Sequence, residues 1–340
     1  MRLMVAALTA SLLVTGCVSS PTKKPSSAAM PDWVVNEPIQ GGHVYGVGSA
    51  PVYGDAARAL QQAQDAARVT MVQKLKVTIS GSFSQETEEV RQTGQQTQLM
   101  KTVRNTIRST IPDAELDNVV VEENFVDKSS KVAYSLVHLD RIKAASKLRQ
   151  RINDLDMQVT ALDDKVSANQ DTLKQLQGLM PALQWLEQRE RLSEQLQLVD
   201  VNNRRAAKDE MLMAVEERMK GLFDALVVNL IPSNADGRKM RDGLLSSLTD
   251  LGLRISGESP HLTFRYAANL RPIEKNGRFI VFASGKVSIE DANGRTLSSF
   301  TREAKGVSAA SGEQAQFKAV QGLAEVLGEE LASSFVSKID

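Results

Sequence analysis

The sequence predicts an α+β protein: two small α+β domains joined by a long helical hairpin or coiled coil, behind an export signal and a flexible tether. Three observations carry this reading. Ala145, Ile152, Val159, Val166, Leu173 and Met180 recur every seven residues, and Leu148, Leu155, Leu162, Asn169, Leu176 and Leu183 follow three places after each. That alternation of three and four is the seam of a coiled coil. Later, Leu262, Phe264, Tyr266, Ala268 and Leu270 alternate with polar residues up to Asn276-Gly277, a pair suited to a type I′ hairpin turn. Near the start, Arg2 precedes an apolar run over residues 3–14 and small residues ahead of Cys17, the pattern of an export signal.

The run of about twelve apolar residues is shorter than the roughly twenty that cross a bilayer, so residues 1–16 read as a signal peptide. Val14-Thr15-Gly16-Cys17 resembles the bacterial lipobox. The resemblance implies cleavage between Gly16 and Cys17, and a Cys17 thiol that takes up diacylglycerol and ends as an anchor carrying acyl chains such as palmitate. Each buried methylene contributes about 0.8 kcal/mol, so several chains hold a protein essentially permanently. Residues 17–31 form the lipidated tether, where Ser, Pro, Thr and Lys leave too little apolar surface to fold.

Residues 32–140 read as the first α+β domain. Val44-Tyr45-Gly46-Val47 suits a buried strand ending in a glycine turn, and Asp55 caps a helix whose inner positions are Ala56, Ala59, Leu60, Ala63, Ala66, Ala67, Met71 and Leu75. Val77 and Ile79 alternate with polar residues as a strand would. Leu99, Val103, Ile107 and Ile111 make a thin helical stripe that Pro112 stops. Residues 119–126 and 132–139 read as strands joined by the turn Asp127-Lys128-Ser129-Ser130. Pro31-Asp32-Trp33-Val34, then Tyr45-Gly46-Val47-Gly48-Ser49-Ala50, then a helix with Ala56, Ala63, Ala66 and Ala67 together resemble the Lpp-twenty family of lipoproteins. That family includes small outer-membrane lipoproteins and the flagellum-associated FlgP. The resemblance covers about a third of the chain and implies a non-catalytic envelope protein with a FlgP-like N-terminal domain. This chain carries a long C-terminal extension that the shorter members lack.

Residues 141–221 carry the seam. A continuous helix from Arg141 to Leu179 would be about 58 Å long at 1.5 Å per residue. Gly178, Pro181 and a slip in spacing before Leu192 place a turn there, giving an antiparallel hairpin; a parallel intermolecular coil that mediates self-association fits the same seam. Asn169 either pins register or is a tolerated polar break.

Residues 222–340 read as the second α+β domain. An apolar run over 225–231 ends at Pro232. Met240, Leu244, Leu245 and Leu248 face inward on a helix over 238–251, and Leu253-Arg254-Ile255 is a short strand. After the Asn276-Gly277 turn, Phe279, Val281, Ala283, Val287 and Ile289 continue the alternation, and Asn293-Gly294 opens a strand over 297–301. Phe317, Val320, Ala324, Leu327, Leu331 and Phe335 stripe a final helix. The order β-α-β-β-β-β-α predicts a largely antiparallel sheet with helices on one face. It resembles periplasmic lipoproteins that regulate peptidoglycan synthases.

Little in the chain points to catalysis. Lys plus Arg and Asp plus Glu each number 41, so no net field draws nucleic acid. With Cys17 the sole cysteine, no disulfide framework or cysteine metal site is expected. His43, His138 and His261 lie in separate segments without metal-ligand spacing, and His138, between Val137 and Leu139, reads as facing solvent. Gly46-Val47-Gly48 lacks the third glycine of a dinucleotide fingerprint, with Pro51 in its place, and reads as a tight turn. Glu122 and Glu123 are adjacent on a strand and point to opposite faces, while Glu88-Glu89 and Glu329-Glu330 read as surface charge. The sequence therefore leads to no enzyme, cofactor or metal. It leads to a protein bound to the membrane through Cys17, with protein partners in the cell envelope. Val18 stands where an Asp would retain a lipoprotein in the inner membrane, so resemblance implies an outer-membrane location facing the periplasm. The role expected is structural, assembly or docking, for a flagellar or other envelope machine. The alternative is a lipid-anchored activator of a peptidoglycan-synthesising enzyme.

Overall fold

Among the described residues two sheets form, and one helix comes close to each because a strand glycine leaves room for it. The structure, a computed structural model, describes residues 29–80, 97–111 and 118–337. The chain forms two compact units. Of the described residues, one comprises 29–38 with Gly46–Thr70 and Val121–Val137, the other Ile39–Tyr45, 71–80, 97–111, 118–120 and 138–337.

Most of a three-stranded sheet ordered β1-β3-β2 lies in the first unit, with β1 His43–Pro51, β2 Val120–Asp127 and β3 Val132–Asp140. Helix α1 (Ala56–Ser80) starts where the Asp55 carboxylate accepts the N–H groups of Ala57 at 2.9 Å and Arg58 at 3.2 Å, satisfying donors that the first turn leaves open. Ala59, Ala63, Ala67, Met71 and Leu75 are buried at four-residue spacing, while Ala56, expected inside, is exposed. A Cβ on Gly48 would lie 2.2 Å from the Ala67 nitrogen and 2.3 Å from the Ala63 oxygen. Glycine is therefore what lets the helix backbone settle on the strand. This corrects the expected glycine turn: Gly46 and Gly48 lie within β1. The strand expected at Val77 and Ile79 is also corrected. Alternation over three residues is equally a piece of helix, the four-residue stripe through Leu75 carries α1 on to Ser80, and Val77 is 74% exposed. Trp33, in the turn Asp32–Val34, is buried and donates from Nε1 to Glu123 Oε2 at 2.6 Å. The β2–β3 turn is closed by Asp127, whose carboxylate accepts from the Ser129 N–H and from the Ser129 and Ser130 hydroxyls at 2.8, 2.6 and 2.7 Å.

The second unit holds a five-stranded sheet ordered β5-β4-β6-β7-β8. Its strands are β4 Val227–Pro232, β5 Arg254–Ile255, β6 Leu262–Lys275, β7 Arg278–Asp291 and β8 Thr296–Ser308. β4 runs parallel to both β5 and β6, and only β6-β7-β8 is antiparallel. The sheet is thus mixed rather than largely antiparallel, because helices α6 (Ala235–Lys239) and α7 (Arg241–Asp250) carry the chain from β4 to β5 as a crossover. One helix was expected there. It starts earlier, where Asn234 accepts the Gly237 N–H at 2.8 Å, and breaks at Met240, whose N–H turns back to the Gly237 carbonyl at 2.9 Å. Asn276 and Gly277 both have left-handed φ, 54° and 69°, as a type I′ turn requires.

Helix α8 (Gly312–Ser337) lies on β7 and β8 with Ala315, Ala319, Leu323 and Leu327 buried. A Cβ on Gly306 would meet the Ala315 oxygen at 2.0 Å. The small face of the helix therefore packs inward, and Phe317, expected in the stripe, is 68% exposed. Above this layer sit α2 (Gln98–Thr110), α3 (Arg141–Val166), α4 (Thr172–Val199) and α5 (Glu210–Ala225). Leu99, Met100, Val103 and Ile107 of α2 share one core with Leu176, Leu183, Phe223, Phe264 and Leu323.

The continuous 58 Å rod is contradicted. α3 ends at Val166, and the turn falls at Ser167 to Asp171, before Gly178 and Pro181. Arg141 reaches the Val199 carbonyl, Arg189 reaches Asp156, and Gly178 faces Val166, so α3 and α4 are antiparallel and the seam is filled within one chain. Asn169 belongs to the turn, where its side chain accepts the Asp171 N–H at 3.0 Å. Pro181 is tolerated inside α4 because Leu179, Met180, Ala182 and Leu183 around it are all buried, and packing outweighs the lost backbone bond.

Candidate functional site

The lipidation site read from the sequence, Gly16 and Cys17, lies outside the described residues, as do Glu88 and Glu89. The other residues singled out fall into place as follows. The Glu123 carboxylate accepts from Trp33, and Glu330 forms an ion pair with Arg302. His261 Nδ1 accepts the Val227 N–H at 3.0 Å, which leaves Nε2 carrying the proton and facing away from that bond. His261 borders a cleft of about 600 Å³ with Asp171, Lys174, Asp291 and Arg295. Asp171 is already committed to capping α4 and Asp291 to closing the β7–β8 turn, so neither is poised as a general base.

The structure does bring His43 and His138 together. Val52 N–H bonds Lys131 O and Arg141 N–H bonds Gly42 O, so β1 and β3 run antiparallel and Tyr45 stands opposite His138. The His43 and His138 ring centroids are 5.7 Å apart, Tyr45 is 5.8 Å from His138, and the Tyr45 hydroxyl donates to Gln40 Oε1 at 3.1 Å. His138 is half-buried against these rings rather than open to solvent. Sequence reasoning missed the pair because strand register is not local. Among the described residues no group of three or more His, Cys, Asp or Glu is placed to hold a metal ion.

The densest charged cluster binds the segment after α4 back onto that helix. Arg189, 1% exposed, donates from Nε to Asp156 and from Nη2 to the Ala207 carbonyl, both at 2.6 Å. Ser193 Oγ accepts the Ala206 N–H at 3.0 Å, and Gln197 accepts from Arg205 at 2.9 Å. Asp200, nearly buried, pairs with Arg149 and accepts the N–H groups of Asn202 and Arg204. Burial alone would raise its pKa, but these donors together hold it below the usual carboxylate value. Arg104 bridges Glu187 and Glu216, and Lys208 also pairs with Glu216 at 2.8 Å. Buried charges persist only when paired, so this cluster works as a lock on the fold. Its acids and bases are engaged with one another rather than aimed at a cavity.

No family model matches the chain, and no curated protein matches it in sequence. Among solved structures it is similar to the secreted protein HP1454 of Helicobacter pylori, at 16% identity and a TM-score of 0.44 over 86% of this chain and 98% of that one. It is similar over 33% of its length to a minor lipoprotein of Acinetobacter baumannii, at 15% identity and a TM-score of 0.27 over 90% of that chain. Lipoprotein GNA1162 of Neisseria meningitidis aligns over the same share, at 10% identity and a TM-score of 0.24 over 99% of that chain. Likenesses this distant transfer neither activity nor partner.

Proposed function

We propose that this chain is a non-catalytic lipoprotein of the bacterial envelope, anchored through diacylglycerol on Cys17 in the outer membrane, where its two α+β units dock protein partners in the periplasm. The observation that carries the reading is the sole cysteine of the chain at the end of an export signal, directly after Val14-Thr15-Gly16. Among the described residues no helix is long and apolar enough to cross a membrane, so the anchor supplies the membrane attachment in this account. The Pro31-Asp32-Trp33 opening acquires a physical role, since Trp33 is buried and tied to β2. The glycine followed by an alanine helix does too, since Gly48 and Ala63 make the close contact. Both support an Lpp-twenty, FlgP-like assignment of the first unit.

Crosslinking of intact envelopes followed by density-gradient separation tests the reading. The protein is expected in outer-membrane fractions, crosslinked to an envelope assembly component such as a flagellar one. Recovery in inner-membrane or soluble fractions contradicts it. Stimulated turnover of a purified peptidoglycan synthase would replace docking with enzyme activation.

A further inference from the structure

The three long strands of the second unit have two unlike faces. The inner face, with Phe264, Tyr266, Val281, Ala283 and Phe300, is buried, and Leu323 and Leu327 of α8 cover Gly285 there. The outer face is not covered by any described element. Cross-strand register orders it into rows. Arg265, Ser288 and Ser299 form one row, with Arg265 paired to Glu290 at 2.8 Å. Asn269, Ser284 and Glu303 form another. Beyond them, toward the Asn276-Gly277 turn, the chemistry changes. Arg271, Phe282 and Lys305 form a row, then Ile273, Ile280 and Val307, then Lys275 opposite Arg278. In those three rows there are four cations and no carboxylate. Glu274, opposite Phe279, projects to the other face.

These cations have no ion-pair partner among the described residues. Instead, Arg271 Cζ lies 5.3 Å and Lys305 Nζ 5.6 Å from the centroid of the Phe282 ring. The ring attracts each cation, yet the two like charges repel and nothing negative lies between them. Phe282 is 37% and Ile273 40% exposed, so apolar side chains stand out among the cations. At the same end, Arg278 and Lys318 line a shallow depression of about 380 Å³ with Ser308 and Gln314. A chain of net charge zero has thus gathered four cations on the outer face of one sheet end.

We infer that this end of the β6-β7-β8 sheet docks on an anionic lipid surface. Cations at phosphate depth with aromatic and aliphatic side chains between them match the boundary between headgroups and acyl chains. The four cations and the apolar side chains between them stand on one face of neighbouring rows, so they can meet one surface together. The inference goes beyond the anchor and does not depend on it.

The test uses the full chain carrying Cys17→Ser, so that no covalent lipid contributes, on phosphatidylcholine vesicles with and without phosphatidylglycerol. Neutral vesicles report whatever the apolar leader adds. Phosphatidylglycerol is expected to increase binding in a salt-sensitive way. Arg271→Glu/Lys305→Glu is expected to lower that increment roughly 30-fold, since each basic side chain near an anionic membrane contributes severalfold. Lys275→Glu/Arg278→Glu at the exposed turn should lose as much, which guards against a folding defect in the first pair. Lys131→Glu/Lys147→Glu, with the same charge change elsewhere, should retain binding. Equal binding to both vesicle types, or equal loss in the control pair, overturns the inference. So does full displacement by inorganic phosphate, which would assign a soluble anion. Capture by immobilised polyglutamate without vesicle binding would assign an acidic protein and overturn it as well. Failure here leaves Cys17 lipidation standing, because the tested chain lacks that thiol.

Discussion

Replacing Gly48 with alanine adds one methyl group where the structure has no space for it. The new Cβ would sit 2.2 Å from the Ala67 nitrogen, 2.3 Å from the Ala63 oxygen and 2.8 Å from the Ala66 carbonyl carbon. All three are backbone atoms of α1, so no rotamer change relieves the clash, and either α1 lifts from β1 or the strand bends. Overpacking of this kind costs about 1–3 kcal/mol, and the backbone contact places Gly48→Ala at the upper end, about 3 kcal/mol. Arg58→Ala is the control in the same unit, since the Arg58 side chain is exposed on α1; its effect should stay within about 0.5 kcal/mol. Trp33 is in the first unit and Trp185 in the second, so a Trp185→Phe background leaves fluorescence that reports the first unit alone. At a urea slope of roughly 1–2 kcal/mol per molar, a 3 kcal/mol loss moves the midpoint down by about 2 M. A midpoint that shifts no more than that of Arg58→Ala would refute the close-approach argument.

Other perturbations probe the remaining contacts. Gly306→Ala, which meets the Ala315 oxygen at 2.0 Å, should lower the melting temperature of the second unit by several degrees in far-ultraviolet circular dichroism, at roughly 2–4 °C per kcal/mol. Arg189→Ala strips the donor from Asp156 and the Ala207 carbonyl and should cost about 3 kcal/mol in denaturant unfolding. Arg218→Ala, which breaks the more exposed pair with Asp163, should cost about 1 kcal/mol or less in the same measurement. Asp127 is held at a pKa of about 2 by the hydroxyls of Ser129 and Ser130, below the ~3.9 of an unfolded chain. Its contribution is therefore complete above about pH 4 and disappears as the pH falls through 2. Asp127→Asn should flatten the acid limb of stability followed by Trp33 fluorescence.

Local signals in this sequence were read accurately where the physics is local. The Asp55 cap, the Asp127 turn, the alternation of β6 and β7 and the Asn276-Gly277 turn each depend on neighbouring residues, and each lies where its chemistry placed it. What failed depends on distant partners. Phe317 looked like a core residue by size, but Gly306, eleven residues earlier in the chain, is what draws the alanine face of α8 inward, and that pairing is invisible until the strand is in place. The heptad spacing ran unbroken across Asn169, so the turn there was masked by a pattern that both helices happen to share. Pro181 looked like a helix end because the burial that holds α4 together comes from α2, α3 and α5. The His43–His138 pair required the β1–β3 register.

Mass spectrometry of the mature amino end is the most direct measurement of the central claim. The account predicts a chain beginning at Cys17 with diacylglycerol on sulfur, and a Cys17→Ser chain without that modification. An unmodified mature terminus, or cleavage at a different residue, would contradict it.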